Sequence, residues 1–371
     1  MAGFNLPPVS TLAGTDIFNF FKIIRKGRIQ KRYYFKVFIT FLICLIASPF
    51  HLYEKVFFSN KLKNHNFSNP PLFIIGHWRS GTTHLHNLLA QDPSASFFTT
   101  YQGVFPDNLK SKLIFKSFMK MSMPGKRPSD NVKLNVNYPQ EDEFAVSNSG
   151  LESFYNFFYF PHLYDYYYQN GVKFNEDKDI ISWLTGYERL MKKAAYNTGD
   201  GRLIVKNPVN TARIKYLAEY FKESKFIFIY RNPIIVYLST RSFFNSLFPS
   251  LTLQEINKEQ IDEIVIDLYK RLMNDYFEQK DKVRRDNLIE IKFEDLEKYP
   301  IQQLREIYAK LDLEDFEGIK THFETYLNSR KGYKKNKYSI FSEELDVVSN
   351  HLKPYMEILD YQIPEDLNVI Y

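Results

Sequence analysis

Residues 70–92 read PPLFIIGHWRSGTTHLHNLLAQD, and the fold turns on them. Leu72 to Ile75 are wholly apolar and end in two β-branched residues, the pattern of a strand buried on both faces. A glycine-bounded turn, Gly76 to Gly81, follows at once. From Thr82 and Thr83 onward, Leu85, Leu88 and Leu89 recur at three-to-four spacing, one face of a helix. Strand, Gly-x-x-x-x-Gly loop and helix together make a phosphate cradle. The loop aims backbone N–H groups at an anion, and the helix N-terminus adds its partial positive charge. A nucleotide triphosphatase would continue with Lys and then Ser or Thr. Here Thr82 and Thr83 follow, and the cation, Arg79, lies inside the loop. The site is expected to take a phosphate, but not ATP with magnesium.

The second half of the chain repeats the strand-then-helix pattern. Gly201 to Pro208 reads GRLIVKNP, a strand ending in Lys206 and stopped by Pro208. A helical run, Thr211 to Phe221, follows it. Lys225 to Tyr230 (KFIFIY) is a second buried strand, leading into Arg231 and a helix opened by Pro233 that carries Ser239 and Arg241. Leu288 to Phe293 is a third, before the helix Ile301 to Leu311. This alternation implies an α/β fold of the P-loop type, three layers α/β/α with a central parallel sheet. Ligands of such sheets sit at the carboxyl ends of the strands, where the loop, Lys206 and Arg231 all fall. The expected division is a helical segment, 1–69, before a domain spanning 70–371.

Composition narrows the partners. Of 371 residues, 34 are Phe and 27 Tyr, more rings than a core alone needs. The net charge of +6 favours an anionic cofactor or an anionic membrane surface, but is too mild for nucleic acid. A single cysteine, Cys44, excludes an intramolecular disulfide and a four-cysteine zinc site, and reads as inert packing.

Lys22 to Lys36 carries seven basic residues and no acid, and the apolar stretch Val37 to Phe50 follows. That stretch is shorter than the ~20 residues of a spanning helix, and it lies too far along for a secretory signal. Two readings stay open: a long helix packed on the main domain, or a basic and apolar element on the membrane surface. Either places the protein on the cytoplasmic side, the second as a peripheral protein of the inner membrane face.

Between residues 93 and 200 no alternation is visible. Glu141, Asp142 and Glu143 follow Pro139 in apolar surroundings. They fit either a helix N-terminus or a carboxylate aimed into a cleft. Phe154 to Tyr168 (FYNFFYFPHLYDYYY) is dense enough to mix core with the wall of an apolar acceptor pocket.

These motifs resemble the sulfotransferases that use 3′-phosphoadenosine 5′-phosphosulfate, especially the bacterial and tyrosylprotein-type members. GHWRSGTT looks like their 5′-phosphosulfate loop, and LIVKNP with KFIFIYRNPIIVYLSTRSFF like the segment leading to their 3′-phosphate site. LIEIKFEDL is similar to their next strand, and Arg330-Lys331-Gly332 to the basic-glycine loop that closes over the nucleotide. The resemblance implies that Trp78, Arg79, Ser80, Gly81, Thr82 and Thr83 bind the 5′-phosphate. By the same resemblance Arg231 and Ser239 hold the 3′-phosphate, Arg330, Lys331 and Gly332 complete that site, and His84 stacks on the adenine.

On this reading Arg79 and Lys206 stabilise charge developing on the leaving oxygen, and no metal is needed. Tyrosylprotein-type relatives keep a glutamate where this chain has Thr99-Thr100-Tyr101. The candidate base is therefore Glu141, with Asp142 and Glu143 behind it and His77 as the histidine alternative. The aromatic run favours the hydroxyl of an apolar acceptor, a sterol or lipid alcohol, as in gut-bacterial steroid sulfotransferases, over a carbohydrate or a peptide tyrosine. The rivals are a P-loop nucleotide kinase or phosphatase, which Thr82 in the lysine position disfavours, and a non-catalytic nucleotide-binding protein at a membrane.

Overall fold

The computed structural model of the chain describes residues 10–63, 65–123, 125, 134–313, 315–330 and 338–371. One sheet has five strands, β1 (Leu72–Ile75), β2 (Ala95–Phe97), β3 (Arg202–Lys206), β4 (Lys225–Tyr230) and β5 (Leu288–Lys292), in the order β2-β3-β1-β4-β5. Most of the rest is helical. α1 (Ile17–Ile24), α2 (Tyr34–Lys63) and α3 (Thr82–Leu89) come first in the chain. α4 (Thr100–Val104), α5 (Lys112–Ser122) and α6 (Glu143–Asn148) follow β2. The α/β class expected from strand–helix alternation is the class observed. β2 has no counterpart among the expected strands, because three residues are too few to show a period.

By contact the chain divides into two units: Met1–Asn69, Ser96–Val205 and Asn245–Asn257 in the first, Pro70–Ala95, Lys206–Phe244 and Lys258–Tyr371 in the second. Residues 1–69 share their unit with later parts of the chain.

In the second unit β4 runs parallel to both β1 and β5, with Ile75 opposite Phe228 and Tyr230 opposite Lys292. All four residues of β1 are buried, which is why the strand reads as an unbroken apolar run. Phe73 stacks on Phe226 at 5.2 Å between centroids, and Phe228 on Tyr276 at 3.7 Å. The N–H of Asn207 donates to the Ile74 carbonyl at 3.3 Å, so the chain leaving Lys206 runs beside the end of β1. Gly76, at φ 138°, then turns so tightly that an added Cβ would lie 2.2 Å from the Ile229 carbonyl oxygen. Gly76→Ala must therefore move backbone as well as strain φ. It is expected to destabilise the fold by about 2 kcal/mol or more, read as a lower urea midpoint at unchanged slope.

The first unit is built on α2. Its 30 residues continue through Pro49, so the apolar stretch does not stop at Phe50 as its sequence suggests. The window Lys31–Phe58 is long and apolar enough to cross a membrane by length and composition, though 28% of its most apolar part is buried in the protein. The correction has a physical cause. His51 and Glu54, which interrupt the apolar run in the sequence, lie on the buried face and find polar partners there. His51 Nε2 meets Asn108 Oδ1 at 2.5 Å, and Glu54 receives Lys193 Nζ at 2.6 Å, which also reaches Asp107 at 2.5 Å. Such a buried ionic cluster is costly to break, and it ties α2 to its unit. Cys44 is buried on the same face, and burial pushes its thiol up to about 12. It is inert, as expected.

The aromatic run Phe154 to Tyr168 is mainly core. Phe154 and Phe157 stack at 4.5 Å, and Phe157 and Phe158 both meet Phe248 edge-on. Phe154, Tyr155 and Phe157 to Phe160 are all buried.

Candidate active site

The second unit brings the expected phosphate-binding residues together. The loop leaves β1 at Gly76 and opens α3 at Gly81, its N-cap, at φ 102° with no side chain capping the helix. The first helical bond runs from the Leu85 N–H to the Gly81 carbonyl. The N–H groups of Thr82, Thr83 and His84 therefore have no partner inside the helix, and together with the helix dipole they suit an anion. Arg79 occupies the left-handed region at φ 69°. A non-glycine residue held there is strained, and such strain gathers at ligand clamps.

The conformation of Arg79 is fixed by what its side chain meets. Its Nε donates to Ser239 Oγ at 2.9 Å, and its guanidinium lies over the Phe243 ring at 5.7 Å. Ser239 is buried in the helix Pro233–Leu251 and also receives the Tyr338 hydroxyl at 2.8 Å. The loop expected to hold one phosphate is thus bonded directly to the serine expected to hold the other. Arg231, at the end of β4, lies 4.6 Å over the Phe293 ring, with Glu294 4.0 Å from its Nε. Burial pulls its guanidinium below its ordinary value, Glu294 opposes this, and Arg79 adds to it as a nearby like charge. Arg79 and Arg231 thus gather positive charge at the ends of β1 and β4.

His84 is turned edge-on to Phe293 at 6.4 Å. Burial lowers its pKa, and Arg330 lowers it further. Glu297 opposes both, and Arg330 is close enough for its charge to act on the ring. Lys331 and Gly332 lie outside the described residues.

Two loop residues do something other than expected. Ser80 spends both its donors on the His77 carbonyl, N–H at 3.2 Å and hydroxyl at 2.8 Å. It shapes the loop, where the resemblance gives its hydroxyl to the anion. Trp78 is buried, with its ring edge-on to Phe244 and to His77. Its side chain is core, and its carbonyl meets His77 Nδ1 at 2.9 Å and accepts from the Thr240 hydroxyl at 3.4 Å.

Lys206 ends β3 and is buried. The candidate bases are sorted by their surroundings. His77 is buried, its Nδ1 2.9 Å from the Trp78 carbonyl, and burial brings its pKa down to about 4. In the first unit Glu143 accepts from Ser153 Oγ at 2.8 Å and the Phe154 N–H at 3.0 Å, and Asp142 accepts from the Tyr187 hydroxyl at 2.5 Å. Both residues are fully buried. Glu141 alone of the three keeps partial exposure, with the Tyr155 hydroxyl donating to it. Thr99, in the stretch Thr99-Thr100-Tyr101, caps α4 in a capping box with Gln102.

Sequence reasoning missed Phe293 and Tyr338. Phe293 touches the loop, Arg231 and His84 at once, and an added Cβ on Gly81 would lie 2.2 Å from its ring. Its position immediately after β5 was the available signal. Tyr338 gave none, since its link to Ser239 is purely tertiary. Among the described residues no three His, Cys, Asp or Glu side chains gather as a metal site.

Comparison with known proteins matches the same region. The model of the sulfotransferase family covers residues 70–318. The curated omega-hydroxy-beta-dihydromenaquinone-9 sulfotransferase Stf3 of Mycobacterium tuberculosis is 32% identical over 332 residues, 89% of this chain and 84% of the relative. The Stf3 of Mycobacterium bovis matches equally. Among solved structures, sulfotransferase STF9 from Mycobacterium avium superposes with a TM-score of 0.72 at 13% identity, covering 93% of this chain and 90% of that one. STF1 from Mycobacterium tuberculosis gives 0.66 at 15% identity, over 92% and 94%. These two likenesses are of fold.

Proposed function

This chain belongs to the sulfotransferase family, and we propose that it transfers a sulfuryl group from 3′-phosphoadenosine 5′-phosphosulfate to the hydroxyl of an apolar, lipid-like acceptor. The observation that carries the donor reading is the bond from Arg79 to Ser239. It joins two anion-binding groups of side chains in one unit, and the proposed donor carries two separate anionic groups. The residues fit it chemically. The N–H groups opening α3 suit the 5′-phosphate. Arg231, Ser239 and the Tyr338 hydroxyl suit the 3′-phosphate, where a guanidinium can bond in two places. Phe293 and His84 offer surfaces for the purine.

When bound, the donor supplies a sulfuryl group on a phosphate oxygen that gains negative charge as the group departs. Arg79 and Lys206 are the cations proposed to stabilise that charge, with the α3 dipole behind them. Glu141 is proposed to take the acceptor's proton. Ser239→Ala removes the partner of both Arg79 and Tyr338. It is expected to weaken binding of 3′-phosphoadenosine 5′-phosphate roughly ten-fold, measured by calorimetric titration.

The acceptor class is supported by the Stf3 relatives, whose name gives them a hydroxylated menaquinone, a lipid. Comparing kcat/KM across lipid alcohols, sterols, simple sugars and tyrosine peptides tests it. A preference for the lipid alcohols or sterols is the expected result. A preference for sugars or peptides would overturn the acceptor reading while leaving the donor reading intact.

A further inference from the structure

We propose that the first unit docks on an anionic lipid bilayer through α1, α2 and α5, with α2 lying along the surface. The surface itself carries this inference, independently of the transfer activity. α2 has two faces. One, through Lys36, Thr40, Cys44, Ala47, His51 and Glu54, is buried in the first unit. The other exposes Phe38, Leu42, Leu45, Pro49, Leu52 and Val56, an apolar stripe at three-to-four spacing along most of the helix, flanked by Ile46, 63% exposed, and Phe57, 71% exposed. Neighbouring helices extend it. α1 packs on α2 through Phe20 and Phe41 and exposes Phe18. α5 packs on it through Phe115 and Phe50 and exposes Leu113, Ile114 and Met121, with Leu113 80% exposed. Exposed apolar side chains on three helices packed together mark an interaction site.

Charge identifies the occupant. From Ile17 to Tyr53 the chain has no acidic residue, and Arg25, Arg28 and Lys31 are exposed beside the stripe's amino end. Along α5 Lys112, Lys116 and Lys120 follow one another on successive turns, again with no acid in the helix, and the outer two lower the pKa of Lys116 after burial has done so. Apolar side chains flanked on both sides by lysine and arginine match the acyl and phosphate layers of an anionic bilayer. The buried face excludes the alternative of crossing it. Lys36 Nζ donates to the Ser250 carbonyl, Thr40 Oγ1 accepts from the Ser10 N–H at 3.1 Å, and Glu54 pairs with Lys193. Withdrawing α2 into hydrocarbon would strip all three of their partners.

The test is co-sedimentation of the full chain with phosphatidylcholine vesicles, with and without phosphatidylglycerol. Binding to the anionic vesicles that weakens with salt is expected. Ile46→Glu and Leu113→Glu should each reduce the partition roughly ten-fold, and Arg25→Gln with Arg28→Gln about five-fold per residue. All four positions are exposed, and unchanged near-ultraviolet circular dichroism and thermal unfolding confirm that the variants fold. Three results would overturn the proposal: wild-type protein left in the supernatant with anionic vesicles, a dimer in sedimentation equilibrium that Ile46→Glu dissociates without any vesicle binding, or membrane-bound protein that alkaline carbonate fails to release.

Discussion

Lys206→Met is expected to lower kcat for sulfuryl transfer about 10²–10³-fold, with affinity for 3′-phosphoadenosine 5′-phosphate little changed. The reasoning starts from position. Lys206 is the last residue of β3, and the Asn207 N–H that follows bonds to Ile74, two residues before the loop begins. Its backbone is therefore held at the same strand ends as Gly76 to Gly81. Its side chain is buried, where a cation acts through a lower effective dielectric than at the surface. Methionine keeps most of the length and the apolar stem and removes only the charge. A rate loss with affinity retained identifies an interaction made mainly in the transition state. Equal loss of both would make Lys206 an ordinary donor-binding residue, and an unaltered rate would remove it from the mechanism.

Glu141→Gln carries the second large effect, a fall in kcat of about 10²–10⁴-fold. Glutamine keeps the shape and still accepts the Tyr155 hydroxyl, so the variant loses the ability to take a proton and little else. Asp142→Asn and Glu143→Gln are the internal comparison. Their carboxylates are spent on Tyr187, Ser153 and the Phe154 backbone, so their substitution should lower stability before rate. If Glu141→Gln turns over like the wild type while His77→Gln does not, the base is His77. That histidine, with its pKa down at about 4, would then add no acid limb to the rate profile near neutrality.

Much of the second unit could be read in advance because its physics is local. β1 and β4 are buried on both faces and so appear as unbroken apolar runs, with boundaries at Leu72–Ile75 and Lys225–Tyr230 as expected. The Gly76 to Gly81 spacing marks the loop in the sequence, while the Ile229 carbonyl and the Phe293 ring that leave no room for a Cβ there are tertiary neighbours. What escaped depends on distant partners. α2 reads as a short apolar stretch until Asn108 and Lys193 are seen to meet His51 and Glu54 on its buried face. Ser80 reads as a phosphate ligand until the His77 carbonyl is seen to take both its donors. The Tyr338–Ser239 bond joins residues 99 positions apart, beyond any local pattern.

The most direct test of the account is a single assay: transfer of labelled sulfuryl from 3′-phosphoadenosine 5′-phosphosulfate to a long-chain lipid alcohol, with a chelator present. The account predicts a sulfate ester of the alcohol formed in step with 3′-phosphoadenosine 5′-phosphate, and lost in Lys206→Met. Tight binding of the nucleotide with no ester formed on any hydroxyl acceptor would contradict it, and would leave a sulfotransferase fold that binds the donor without using it.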